Sequence, residues 1–299
     1  MLVCLKALVA RPLINSRIVK VFENIGFMQG RLSPMVEEKI QAFPAQYWRR
    51  EFAVAQTLGF SLMEWTLDHD GIYENPLMVP EGRDEVRSLM KCFQVSVPSI
   101  TGDCFMQAPF YKSTGSVRKE LLRELDAVID AIAGVGGRQI VFPLVDSGRL
   151  ETLGHEQSLF EALNERTIEL NRRGILISFE IDFPPNQVKR FISSYPKSSY
   201  GINYDIGNSA ALGYDPQDEF NAYGDRITNV HVKDRVLNGS TVALGEGNAD
   251  FATVFSLLAR YGYSGNYILQ TARAKADDHA DVLKRYAEMT SYWIKRASL

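Results

Sequence analysis

The chain has 299 residues, a formal net charge of −3, 45% hydrophobic residues and 23% charged residues. That is the composition of a globular protein with a sizeable core. The mildly acidic balance argues against a nucleic-acid partner, which needs a basic face, and no apolar run is long enough to span a membrane.

Cys4, Cys92 and Cys104 are scattered, with no C-x-x-C spacing. They read as reduced thiols of a cytoplasmic protein rather than a disulfide frame or zinc knuckle. Met1 to Ala10 is apolar but interrupted by Lys6 and followed by Arg11 and Pro12, a poor match to a secretory leader. Residues 1–22 are therefore read as an N-terminal extension and 23–299 as one domain.

In chain order, Ile25 to Gln29 is the first expected strand, followed by the turn-rich loop Gly30-Arg31-Leu32-Ser33-Pro34. Tyr47 to Leu58 has helical spacing and Gly59 stops it. Leu62 to Thr66 is the second strand, Glu81 to Lys91 a helix, and Val95 to Thr101 the third strand. Ser116 to Ala133 is an amphipathic helix with Leu121, Leu125, Val128 and Ile132 in its apolar stripe. Gln139 to Pro143 is the fourth strand and Glu156 to Asn171 the helix after it. Leu176 to Glu180 is the fifth strand. Pro184-Pro185 blocks its extension, and Gln187 to Ser193 is a short helix. The sixth strand, Tyr200 to Asp205, precedes a helix from Pro216 to Tyr223, with Pro at its first turn. The seventh, Ile227 to Val232, precedes a helix N-capped by Asp250. Asn266 to Gln270 is the eighth strand and His279 to Lys295 the last helix.

Strand–helix alternation predicts a parallel sheet with helices on its faces, and a count of eight favours a single closed (β/α)8 barrel. An open doubly wound sheet would want a glycine-rich phosphate turn after the first strand, and Gly30-Arg31-Leu32 is not one.

Four polar side chains stand at the ends of consecutive strands: Glu180, Asp205, His231 and Gln270. On a closed barrel they converge over the C-terminal rim. Oxygen, oxygen, nitrogen and oxygen donors around one gap suit a single Mn²⁺, Mg²⁺, Co²⁺ or Zn²⁺. Taken singly, Asp205 also reads as a turn cap and His231 as a satisfied strand-end histidine.

The chain from about Ile25 onward resembles the xylose isomerase-like TIM barrels, a superfamily of sugar and sugar-phosphate isomerases and epimerases. The resemblance is carried by Met28-Gln29-Gly30-Arg31-Leu32-Ser33, Met63-Glu64-Trp65, Phe179-Glu180 and Asn203-Tyr204-Asp205-Ile206-Gly207-Asn208. It continues through His231-Val232-Lys233-Asp234-Arg235 and Leu244-Gly245-Glu246-Gly247-Asn248-Ala249-Asp250. It implies a metal-dependent isomerase or epimerase with Glu180, Asp205, His231 and the strand-eight residue as ligands. A polyol or keto-sugar, phosphorylated or free, would lie across the ion. No nucleic-acid or membrane partner is implied, and dimers and tetramers are common among such barrels.

The strand-eight ligand of the family is usually Glu; here it is Gln270, which cannot carry a proton. Some family epimerases carry His where Asn208 stands, at a sugar-hydroxyl contact. The mechanism expected is proton transfer at carbon through an enediolate, with Glu180 as acid/base. With Gln270 unable to titrate, one base suits aldose–ketose isomerisation or syn elimination better than inversion.

Lys233 reads either as electrostatic partner or proton donor, or as a rim salt bridge to Asp234. Arg235 either holds a substrate oxygen or is solvated. Glu64 either contacts substrate from the barrel interior or pairs with Arg31. Trp65 is expected as an apolar wall, and Asp103 and His69 are rim candidates by position. Glu246 and Asp250 are expected to order their loop and cap a helix. Arg273 and Lys275 either meet a phosphate or are solvated. Rival readings are a metal-dependent dehydratase of a polyol or keto acid, an apurinic-site endonuclease and a sugar binder without catalysis. The endonuclease is disfavoured by four histidines of which only His231 ends a strand.

Overall fold

The structure, a computed structural model, describes residues 21–274, 278–297 and 299. Eight parallel strands close into a barrel: β1 (Ile25–Met28), β2 (Met63–Thr66), β3 (Ser99–Thr101), β4 (Gln139–Leu144), β5 (Leu176–Ile181), β6 (Tyr200–Asp205), β7 (Ile227–Val232) and β10 (Tyr267–Leu269). The order around the barrel is β1-β10-β7-β6-β5-β4-β3-β2. A small antiparallel hairpin, β8 (Asp234–Arg235) with β9 (Thr241–Val242), follows β7. Most of the 1–22 extension lies outside the described residues. Phe22, at its end, is buried and bridges to Phe60.

Strand alternation sorts the side chains between two environments. On β2, Trp65 packs among Phe43, Trp48 and Phe52, whereas Glu64 points inward to His231. On β5, Phe179 meets Phe191, Tyr195 and Tyr200, and Glu180 turns to the rim. The aromatic seam between wall and helices supplies the main hydrophobic core. The barrel interior is polar: Glu64, Ser99, Asn203, Asn229 and His231 are all nearly inaccessible and bonded to one another. A buried polar set persists only when its members satisfy each other.

Most expected elements are present, several with shared ends: Tyr200–Asp205, Ile227–Val232 and Pro216–Tyr223. The helix expected over residues 156–171 is two, Leu153–Asn164 and Thr167–Arg173. The carbonyl of Leu163 accepts from the Tyr200 hydroxyl at 2.7 Å and the Thr167 hydroxyl at 3.3 Å, and the Arg166 guanidinium donates to Ala162 O at 2.7 Å. Those carbonyls are satisfied by side chains and the helix breaks there.

The helix Ile206–Leu212 was not expected. It begins where Asp205 Oδ1 accepts from Asn208 N–H at 2.8 Å. Cys104 is a buried free thiol; Cys92 is disulfide-bonded, against the reading of all three cysteines as thiols. No helix among the described residues is long and apolar enough to cross a membrane.

Candidate active site

β5, β6 and β7 are adjacent staves, and each carries an acid or an imidazole at its last or next-to-last residue. Register pairs Asp205 with His231 across β6 and β7. One ligand-type atom from each of Glu180, Asp205 and His231 lies within 4.8 Å of the other two, and all three residues are buried. His231 Nδ1 faces Glu180 Oε2 at 3.2 Å, while Nε2 meets Glu64 Oε1 at 2.7 Å. Glu64 is held in turn by the Ser99 hydroxyl at 2.7 Å and by Asn229 Nδ2 at 3.2 Å. It therefore sits beneath the site, turning the imidazole; it neither reaches the rim surface nor pairs with Arg31.

Glu180 is braced by two amides: Asn203 Nδ2 donates to Oε2 at 2.8 Å and Asn208 Nδ2 to Oε1 at 2.7 Å. Asn208 Oδ1 accepts from Arg235 Nη1 at 2.8 Å, and Arg235 also donates to Gly239 O in the hairpin turn. Arg235 thus acts on Glu180 through Asn208.

Asp205 divides its oxygens. Oδ1 caps the following helix; Oδ2 accepts no hydrogen bond of good geometry and faces Lys233 Nζ at 2.7 Å. The Lys233 stem passes over Gly207, where an added Cβ would lie 2.8 Å from Lys233 Cγ. Only glycine lets the ammonium approach Asp205 along this path.

Lys233 Nζ also donates to Gln270 Oε1 at 3.0 Å. Gln270 Nε2 donates to Gln41 Oε1 at 2.9 Å, and Gln41 Nε2 donates to Asp103 Oδ2 at 2.6 Å. Thr101 Oγ1 donates to Asp103 Oδ1 at 3.1 Å. Gln270, considered above as a fourth ligand, meets the cluster through Lys233.

Burial would push the His231 imidazole down, but Glu64 and Glu180 outweigh it and raise it to about 10. Burial pushes Glu180 up, yet His231 and Lys233 overcome that and hold it below its ordinary value. Asp103 is raised to about 6, chiefly by burial, with Asp68 and Glu180 adding repulsion against the hydrogen bonds from Gln41 and Thr101.

Other expectations fall differently. Trp65 has no accessible surface, and its indole N–H donates to Asn75 Oδ1 at 3.0 Å; it belongs to the wall–helix seam, not the rim. His69 Nδ1 faces Glu124 at 3.3 Å. Asp234 does not pair with Lys233. It is fully buried and accepts from the backbone N–H groups of Gly245, Gly247 and Ala249, so it orders the loop assigned above to Glu246, which is exposed. Asp250 does cap its helix, accepting from Thr253 N–H at 3.0 Å. Arg273 donates to the carbonyls of Gly30 and Ser33, and Lys275 lies outside the described residues. Asn203, Asn229 and Gln41 were missed. Asn203 and Asn229 stand two residues before Asp205 and His231, where strand alternation could have found them. Nothing in the local sequence marks Gln41.

A closed parallel barrel with a buried Glu–Asp–His cluster at the C-terminal ends of adjacent strands is a (β/α)8 barrel of the rim-site kind. The profile of the xylose isomerase-like TIM barrel matches residues 52–289, and the chain belongs to that family. It is 27% identical over 266 residues to L-ribulose-5-phosphate 3-epimerase UlaE of Escherichia coli, covering 85% of this chain and 92% of that one. Among solved structures it is similar to an L-ribulose 3-epimerase (TM-score 0.70, 16% identity, 91% and 95% of the two chains). It is similar also to D-allulose 3-epimerase of Methylomonas sp. (TM-score 0.69, 17% identity, 92% and 97% covered). At those identities the structural likeness shows the fold.

Proposed function

We propose that this chain is a divalent-metal-dependent epimerase or isomerase of a keto-sugar or its phosphate, with Glu180 as acid/base. The observation that carries the reading is the convergence of Glu180, Asp205 and His231 on one buried point. The names of the relatives, 3-epimerases of ribulose 5-phosphate, ribulose and allulose, support the substrate class.

The residues fit an ion. His231 is turned by Glu64 so that Nδ1 faces the carboxylates, the usual carboxylate–histidine support of a metal ligand. Asp205 Oδ2 is a buried oxygen that accepts no hydrogen bond of good geometry and is paired with the Lys233 ammonium at 2.7 Å. Two oxygens and an imidazole nitrogen suit Mn²⁺, Mg²⁺, Co²⁺ or Zn²⁺, while Gln270 meets the cluster through Lys233. When bound, the ion supplies Lewis-acid stabilisation of charge on the substrate oxygens.

The remaining work is the protein's own. Glu180, braced by Asn203 and Asn208, moves the proton on carbon. Lys233 holds Asp205 and adds positive charge beside the developing enediolate. Arg235 fixes Asn208 and through it Glu180.

The test is an NMR screen of ketoses, aldoses, their phosphates and inososes with Mn²⁺, in which epimer, aldose and dehydration product give different signals. Glu180→Gln should lower turnover by roughly 10²–10⁴ with the ion still bound, the usual worth of a positioned base. Undiminished turnover in that variant would remove Glu180 from the chemistry.

A further inference from the structure

The strand that presents Asp205 runs straight into the helix Ile206–Leu212, which has seven residues. A helix that short is not stable by itself and takes its place from what grips it. On the site side Asp205 caps it, and its Asn208 reaches Glu180 and Arg235. On the far side stands Glu219, in the helix Pro216–Tyr223, a buried carboxylate with no part in the proton transfer proposed above. Its Oε2 accepts from the Tyr204 hydroxyl at 2.7 Å and from the Ser209 hydroxyl, and its Oε1 accepts from the Tyr223 hydroxyl at 2.7 Å.

Tyr204 immediately precedes Asp205, and Ser209 immediately follows Asn208. Within each pair the site takes one residue and Glu219 the other. A single carboxylate oxygen thus ties the end of β6 to the helix after it, across the turn that sets Asp205 beside Asn208.

Burial pushes the Glu219 carboxyl up, against the hydroxyl bonds that lower it. An apolar side chain would fill the same space without that desolvation cost. What the carboxylate adds is direction, since it accepts along fixed lines from both sides of the turn. Close packing does not supply it: a cavity of about 20 Å³, room for one water, borders Glu219 and Glu180 as well as Asp205, Asn208 and Ser209. Resting on the function proposed above, we infer that Glu219 is a positioning residue of the site. By gripping Tyr204 and Ser209 it fixes Asp205 for the ion and Asn208 for the Glu180 base.

The experiment is calorimetric titration of the chelator-stripped protein with Mn²⁺, alongside kcat and KM on the ketose or ketose phosphate found active. Glu219→Leu leaves the hydroxyls without their acceptor. It should weaken Mn²⁺ binding and lower kcat by about 10–100-fold each, with a smaller change in KM. Glu219→Gln keeps an acceptor oxygen and should restore most of both. Val188→Ala, a buried apolar truncation in the helix Pro185–Ser193, should cost stability alone. Fewer of its molecules fold, so the ions bound per chain fall while Kd holds. Wild-type Kd and kcat in Glu219→Leu, or the same rise in Kd in Val188→Ala, would overturn the role given to Glu219. Should Glu219→Leu misfold, the double variant Tyr204→Phe with Ser209→Ala removes both grips and keeps the carboxylate. It should weaken Mn²⁺ binding in the same direction, and an unchanged Kd overturns the role equally. A wild-type protein that neither binds Mn²⁺ nor turns over a ketose overturns instead the function on which that role rests.

Discussion

At the scale of single residues, the site is decided by what stands behind its candidate ligands. His231 is wedged between Glu64 and Glu180, and in the absence of an ion that pair of carboxylates keeps its imidazole protonated. An ion held at Nδ1 would take the place of that proton and leave Nε2–H donating to Glu64. Glu64→Gln removes the charge that supports the ligand and should weaken metal binding by 10–100-fold, measured by calorimetric titration of the chelator-stripped protein. An unchanged affinity would make Glu64 a space-filler. The convergence of Glu180, Asp205 and His231 was legible in the sequence because each stands at or next to the end of a strand. The roles of Glu64, Trp65 and Asp234 were not, because they depend on which way a strand residue faces and on a loop returning from another part of the chain. Asp205 caps a helix with one oxygen, as its turn-cap reading expected, and faces Lys233 with the other.

At the scale of elements, the loop after β1 shows how a helix holds the rim. Glu51, in the helix Trp48–Leu58, is buried and accepts from the backbone N–H groups of Gly30 and Leu32, each at 3.0 Å. Burial raises its carboxyl to about 7 against those hydrogen bonds. Its folded value thus lies above the unfolded one, so the native state binds the extra proton between about pH 4.5 and 7. Its contribution to stability is greatest below that window and falls as pH rises through it. The stability difference between wild type and Glu51→Gln should drift by about 3 kcal/mol across the window, measured by urea denaturation at several pH values. Parallel curves would show that Glu51 does not titrate there. Elements were legible wherever a strand ended at a ligand or a helix at a glycine: Gly59 and Gly174 both take left-handed C-cap conformations. The β8–β9 hairpin was passed over although Asn238-Gly239 is a turn signal. The split at Arg166 depends in part on the Tyr200 hydroxyl from β6, a partner the local sequence does not show.

At the scale of the whole molecule, the barrel is closed and its interior is a polar network ending at the rim cluster. Binding an ion there is linked to global unfolding. At a free concentration one hundred times the dissociation constant, the ion adds about 2.7 kcal/mol. Spread over the unfolding entropy of a 299-residue chain, that raises the melting temperature by about 4 °C. Scanning calorimetry of the stripped protein with and without Mn²⁺ measures it, and identical melts would place no ion in the native state.

The aromatic seam on the outside of the barrel wall has an optical consequence. Trp48 and Trp65 lie 5.5 Å apart nearly edge to face, both covered by protein, and Trp293 is stacked on Phe251 at 4.1 Å. These are all the tryptophans of the chain, and they stand where helices meet the wall or each other. The intrinsic emission of this protein therefore reports the docking of its helices. It is a built-in gauge of the folded shell, and a dark channel for whatever ligand sits at the rim.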